Sequence, residues 1–133
     1  MRYMYSLFSE EGGMEGVSPE DMKAELDRWE AFGLEAHEAG VFVAGDALQE
    51  SSTATTFRLQ EQGDPLVSDG PFVETKEQLG GYYVLDCKDL DEALDWGRKI
   101  PLRSGSIEVR PVMDFSEFGY EDPLQSQETS RTA

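Results

Sequence analysis

A chain of 133 residues with 28 acidic and 11 basic side chains carries a formal net charge of −17, and its sequence pI is about 4.2. Such a surface repels phosphate backbones and anionic lipid alike, which excludes nucleic acid and anionic membranes as partners. The length fits one domain, and a hydrophobic content of 38% suffices for one core.

Cys87 is the single cysteine and His37 the single histidine. No disulfide within the chain and no structural zinc site is therefore expected, and the thiol usage fits a reducing compartment. Residues 1–8 are too short an apolar run for a secretory leader, and no 18-residue apolar run occurs. A cytoplasmic protein is expected.

Residues 2–8, rich in Tyr and Phe, read as a strand buried on both sides or nearly so. An acidic, Gly-rich loop follows from Ser9 to Gly16. Ser18-Pro19-Glu20-Asp21 starts a helix: Ser18 caps, Pro19 takes the first helical position, and the acids face the positive end of the dipole. Met22, Leu26, Trp29, Gly33, Ala36 and Gly40 recur at helical spacing as one stripe, and Gly40 ends the helix. Gly33 in mid-stripe predicts a close approach to a sheet beneath.

Residues 41–45 read as a second strand. Residues 53–60 form an alternating strand, Gln62-Gly63-Asp64-Pro65 a hairpin turn, and residues 66–68 its return. Residues 81–87 are a further strand. Asp89 with Glu92 reads as a capping box, opening a helix that stops at Pro101. Residues 106–113 alternate as a last strand. The domain spans 1–115; residues 116–133 form an acidic and polar tail expected to be flexible, frayed from 121 onward.

The order β-α-β, hairpin, β-α-β predicts an α+β fold of the ferredoxin-like, split βαβ kind, with both helices on one face of an antiparallel sheet. The other face needs a cover, since Tyr5, Phe57 and Tyr83 are not residues for water. A second copy of the chain is the simplest cover, so a homodimer is expected.

The densest stretch is Asp69-Gly70-Pro71-Phe72-Val73-Glu74-Thr75-Lys76-Glu77-Gln78-Leu79-Gly80-Gly81-Tyr82. Asp-Gly-Pro is turn chemistry, Phe72 and Val73 would anchor the loop to a core, and Gly80-Gly81 permits close backbone approach. Asp69-Gly70-Pro71-Phe72, Glu74-Thr75-Lys76-Glu77, Gly80-Gly81-Tyr82 and Glu108-Val109-Arg110-Pro111, with Gly45 and Leu48, resemble the signature of the DGPF-domain proteins of the YCII-related family. The resemblance runs from Met1 to about Met113. It implies a ferredoxin-like domain paired into a dimeric α+β barrel, in a family whose biochemical role is mostly unassigned. Some of its members are enzyme-like, one a dehydrochlorinase, and carry a His and an Asp as a catalytic pair. That His lies in the first half of the first helix, where this chain has Asp27-Arg28-Trp29-Glu30 and no His. Many DGPF members are encoded beside extracytoplasmic-function sigma factors, which implies a regulatory setting as the alternative.

The site expected from this stretch comprises Asp69, Glu74, Lys76, Glu77, Gly80, Gly81, Tyr82 and Arg110, with His37 and Thr56 nearby. Asp69 is either a turn cap or a general base, and Glu77 is the other candidate for proton transfer. Lys76 either pairs with its neighbouring glutamates or holds an anionic group. Asp69, Glu74 and Glu77 could bind a cation through oxygens, but further ligands are missing and no metal is expected. Tyr82 is a satisfied core hydroxyl or an acid, His37 a half-buried imidazole or a base, and Arg110 a partner for a loop carboxylate. Cys87 lies among acids that raise its pKa, so a reactive thiolate is not expected. There is no nucleophile triad, phosphate loop or dinucleotide fingerprint, and no cofactor is expected. The functional expectation is a small-molecule ligand beside the loop, with lyase, isomerase or dehalogenase-type proton transfer, or else a non-enzymatic regulatory module.

Overall fold

A computed structural model describes residues 1–121. Its elements are β1 (Arg2–Ser9), α1 (Pro19–Glu38), β2 (Phe42–Ala47), β3 (Thr55–Arg58), β4 (Leu66–Asp69), β5 (Gln78–Asp86), α2 (Leu90–Gly97) and β6 (Ser106–Pro111), with short 3-10 turns at Ser51–Thr53 and Phe115–Phe118. The expected tail from 122 onward lies outside the described residues. None of the described helices is long and apolar enough to cross a membrane.

The main sheet has four strands in the order β2-β5-β1-β6, and every pairing in it is antiparallel. It is an open α+β sheet with two helices, and it does not close into a barrel within one chain. Alternation along β1 sends Tyr3, Tyr5 and Leu7 to one face and Met4, Ser6 and Phe8 to the other. The first face carries the core: Tyr3, Tyr5, Leu7 and Leu85 pack with Phe32 and Ala36 of α1 and Ala93 of α2. Tyr5 is fully buried, and its hydroxyl donates to the Ala93 carbonyl at 2.6 Å, which pins α2 to the sheet. Burial pushes the Cys87 thiol up, with smaller contributions from Glu92 and Asp86. The upward shift expected from neighbouring acids is present, but desolvation is its main cause.

Local chemistry sets the helix ends. The Ser18 hydroxyl accepts from the Asp21 amide at 3.1 Å, and the Asp89 carboxylate accepts from the Glu92 amide at 2.9 Å. Gly40, at φ 75°, turns the chain out of α1 into β2.

The helix stripe differs from the expected one. Phe32 is buried, whereas Leu26 is 60% exposed. A methyl built on Gly33 meets nothing within 4 Å, so no close approach explains that glycine. The uncovered face of the sheet also has a different membership. Tyr5 and Tyr83 lie on the helix side, where the Tyr83 ring meets Trp29 and Phe32. The open side presents Met4, Phe8, Tyr82 and Val84 instead. β3 and β4 form a separate two-stranded sheet, an arm whose Phe57 and Val67 stand opposite each other and are 63% and 69% exposed. Phe72 and Val73 do not anchor their loop in the core. Both are exposed, and the Phe72 ring lies under the Arg58 guanidinium.

Candidate functional site

Two concavities share one border, the start of β5. The larger is a cleft of about 870 Å³ on the helix side of the sheet. Its floor is Leu7 of β1, Gly45 of β2, and Gly80, Gly81 and Tyr83 of β5; its wall is Met22, Glu25, Leu26 and Trp29 of α1. Segments 9–15, 46–50 and 102–104 close the sides. The sequence builds this space with glycine. Gly45 and Gly81 place no side chain on the floor, and the Tyr83 ring lies across Gly45, within 2.5 Å of where a Cβ would sit. At Gly81 a Cβ would stand 2.8 Å from the Asp46 carbonyl oxygen, so that position requires glycine. Gly80 has a different role: the β1–β5 register shifts between Leu7 and Phe8, and Gly80 is the unpaired residue of the bulge.

Glu25 is the one charged group set deep in the wall, its side chain only 16% exposed. Its Oε1 accepts from the Trp29 indole at 3.2 Å. Its Oε2 accepts from Arg28 and Arg103, each at 3.0 Å. Burial pushes the Glu25 carboxyl up, but the bonds from Arg103, Trp29 and Arg28 together outweigh it and hold the group below the usual carboxylate range. Arg28 also donates to the Pro101 carbonyl at 3.3 Å, so α1 is tied twice to the loop after α2. The sequence carries half of this signal, since Glu25, Arg28 and Trp29 sit one turn apart. Arg103 lies 78 residues further on, and no spacing rule connects it to α1.

The smaller concavity is an open hollow of about 580 Å³. Gly70, Pro71, Glu74, Thr75, Lys76 and Gln78 line it, facing Glu10, Glu11, Ser51 and Ser52. The Asp-Gly-Pro-Phe loop is fixed by backbone rather than by Asp69. The Gly70 amide donates to the Ala54 carbonyl, and the Thr56 hydroxyl to the Gly70 carbonyl, both at 2.8 Å. The Gln78 amide group bonds the Val73 and Thr75 carbonyls. The Asp69 carboxylate accepts no hydrogen bond from a described residue, so the capping role expected of it is absent. Lys76 pairs with Glu10 at 3.0 Å, not with Glu74 or Glu77. Glu77 accepts from the Ser106 hydroxyl at 3.0 Å.

The expected site residues therefore divide. Glu74 and Lys76 line the hollow, while Gly80, Gly81 and Tyr82 border the cleft. The Tyr82 hydroxyl donates to Asp46 at 2.7 Å, which raises its pKa. Asp69 and Glu77 line neither concavity. Asp69, Glu74 and Glu77 do not converge, and among the described residues no cluster of His, Cys, Asp and Glu could hold a metal. Arg110 pairs with Glu108 on its own strand rather than with a loop carboxylate. His37 stacks on Phe42 at 4.2 Å, at the far end of β5 from the cleft.

Comparison with known proteins agrees with the resemblance read from the loop. The family model of the YCII-related domain matches residues 1–116. The uncharacterized protein R00369 of Rhizobium meliloti (strain 1021) is similar at 36% identity over 115 residues, covering 84% of this chain and 92% of that protein. The glycines that shape the floor of the cleft and the loop that borders the hollow both fall within the matched span, and the chain is a member of the YCII-related family.

Proposed function

We propose that this protein binds a small molecule with an apolar body in the cleft between α1 and the start of β5, and that it does so as a homodimer of ferredoxin-like subunits. The carrying observation is the cleft itself. At about 870 Å³ it falls in the range of ligand sites, and its walls are Leu7, Met14, Met22, Trp29, Tyr83 and Leu102. A clamped acid, Glu25, gives it one fixed polar feature. The hollow beside Lys76 supports the ligand reading less well, because it is open and its lysine already has Glu10 as partner.

The dimer is supported by surface that one chain leaves bare. Met4, Phe8, Tyr82 and Val84 form a sheet face with no layer over it among the described residues, and the β3–β4 arm exposes apolar residues on both of its sides. A two-stranded arm is marginal alone, and a second copy laid on the sheet would cover both features and complete an α+β barrel from two chains. Light scattering on the eluting protein should give twice the monomer mass; a stable monomer at micromolar concentration overturns the dimer.

Proton-transfer chemistry of the lyase, isomerase or dehalogenase kind has less support, because the acid set in the cleft wall, Glu25, is already engaged by Arg28, Arg103 and Trp29. A metabolite library screened by thermal shift tests the binding reading. A hit recovered unchanged supports a binding module, a hit that is converted supports an enzyme, and no hit counts against the cleft.

A further inference from the structure

We infer that the cleft selects cationic amphiphiles, small molecules in which an aromatic or aliphatic body carries an ammonium group. This rests on the cleft being the ligand site. The body is set by the wall, where Met22, Leu26 and Trp29, with the Tyr83 ring stacked on Trp29, stand over the glycine floor. The sign of the head group is set by the rim.

Five carboxylates surround the cleft, at Glu10, Glu11, Glu15, Glu25 and Glu50, against a single cation, Arg103; Asp46, also at its edge, turns its carboxylate to the Tyr82 hydroxyl on the open side of the sheet. Two of the five are compensated: Glu25 by Arg28 and Arg103, and Glu10 by Lys76. Glu11 accepts from the backbone and hydroxyl of Ser51 and has no cation beside it among the described residues. Glu15 and Glu50 meet no cation among the described residues. The one cation is consumed inside the wall, because the Arg103 Nε donates to Glu25 Oε2 at 3.0 Å and the Nη2 lies 3.0 Å from the same oxygen as an ion pair. Low-dielectric walls with three uncompensated carboxylates focus a negative potential into the cleft. An anionic ligand meets repulsion there with no free donor fork to receive it. An ammonium meets carboxylates, and the Trp29 and Tyr83 ring faces add cation–π attraction.

The test uses isosteric probes that differ only in head group: naphthylmethylamine, naphthylmethanol and naphthoate, with benzylamine, benzyl alcohol and benzoate as a smaller set. Binding is followed at the Trp29 indole resonance. At about 20 mM salt the amine should bind at least about tenfold tighter than the alcohol, and the advantage should shrink at about 300 mM as the carboxylates are screened. Glu15→Gln with Glu50→Gln should reduce the amine's advantage and leave the alcohol unchanged. Equal affinity for amine and alcohol, or tighter binding of the carboxylate, overturns the charge selection while the cleft stands. If no probe moves the Trp29 resonance, the cleft reading fails, and the selection fails with it.

Discussion

Gly81→Ala adds one methyl where the structure has no room for it. The new Cβ would lie 2.8 Å from the Asp46 carbonyl oxygen and 3.4 Å from the Ala47 Cα, both backbone atoms of the neighbouring strand. Backbone cannot swing aside as a side chain does, so β2 and β5 must separate by several tenths of an ångström at the Gly81–Ala47 pair. Overpacking of this kind costs about 1–3 kcal/mol, of which lower unfolded-state entropy returns about 0.4–1 kcal/mol. Gly80→Ala is the matched control. Its Cβ meets only the Leu7 carbonyl oxygen at 4.0 Å, and its φ is not positive, so the change should be neutral or stabilising by up to about 1 kcal/mol. Urea unfolding followed by circular dichroism should show a lowered midpoint for Gly81→Ala and an equal or raised one for Gly80→Ala. Because Gly81 is also part of the cleft floor, the first variant should bind any cleft ligand more weakly. Equal stability of the two variants would refute the close approach assigned to Gly81 and the role given to it in shaping the cleft.

Glu25→Gln should lower stability at neutral pH by about 1 kcal/mol through weakened bonds from Arg28, Arg103 and Trp29. Since the Glu25 carboxyl is held below its ordinary range in the fold, its contribution is present above the unfolded value of about 4.3 and is lost as pH falls through the lower folded value. Acid unfolding of the Gln variant should accordingly be less steep below about pH 4; parallel curves would show that Glu25 is not stabilised as described. Tyr5→Phe removes a fully buried hydroxyl and its bond to the Ala93 carbonyl, at a cost of about 1–2 kcal/mol measured by thermal unfolding; an unchanged midpoint would mean that the bond does not hold α2. Phe57→Ser with Val67→Ser alters residues exposed in one chain, so monomer stability should change by less than about 0.5 kcal/mol. Sedimentation should show weaker dimerisation, and an unaltered dimer would remove the arm from the interface.

What the sequence made legible was local. Ser18 and Asp89 announce their helices because a cap bonds an amide three residues away, and Gly40 announces a stop because few other residues accept its φ. The burial pattern was less readable. Leu26 and Phe32 lie on neighbouring flanks of α1, and only the position of the sheet decides that Phe32 is inside and Leu26 outside. Tyr5 and Tyr83 looked like residues of an uncovered face because alternation says which residues share a side, not which side the helices take. The charged loop drew attention by density, yet Lys76 found its partner in Glu10, at the start of the fold's first loop. The cleft drew attention only at its edge on β5, through Gly80, Gly81 and Tyr82; its α1 wall went unread because the clamp joins Glu25 to an arginine 78 residues away.

The central claim is that ligands enter the cleft beneath α1 and not the hollow beside Lys76. The chain has two tryptophans: Trp29 in the cleft wall, its indole on Glu25, and Trp96 on α2, outside the lining. Their two indole N–H resonances in a nitrogen-correlated spectrum give a reporter and an internal control in one experiment. On titration with a library hit, the Trp29 indole should shift in proportion to occupancy, with the Gly80 and Gly81 amides moving alongside it, while the Trp96 indole stays fixed. Saturable binding that moves the amides of Glu74 and Lys76 and leaves the Trp29 indole in place would contradict the claim and return the site to the hollow.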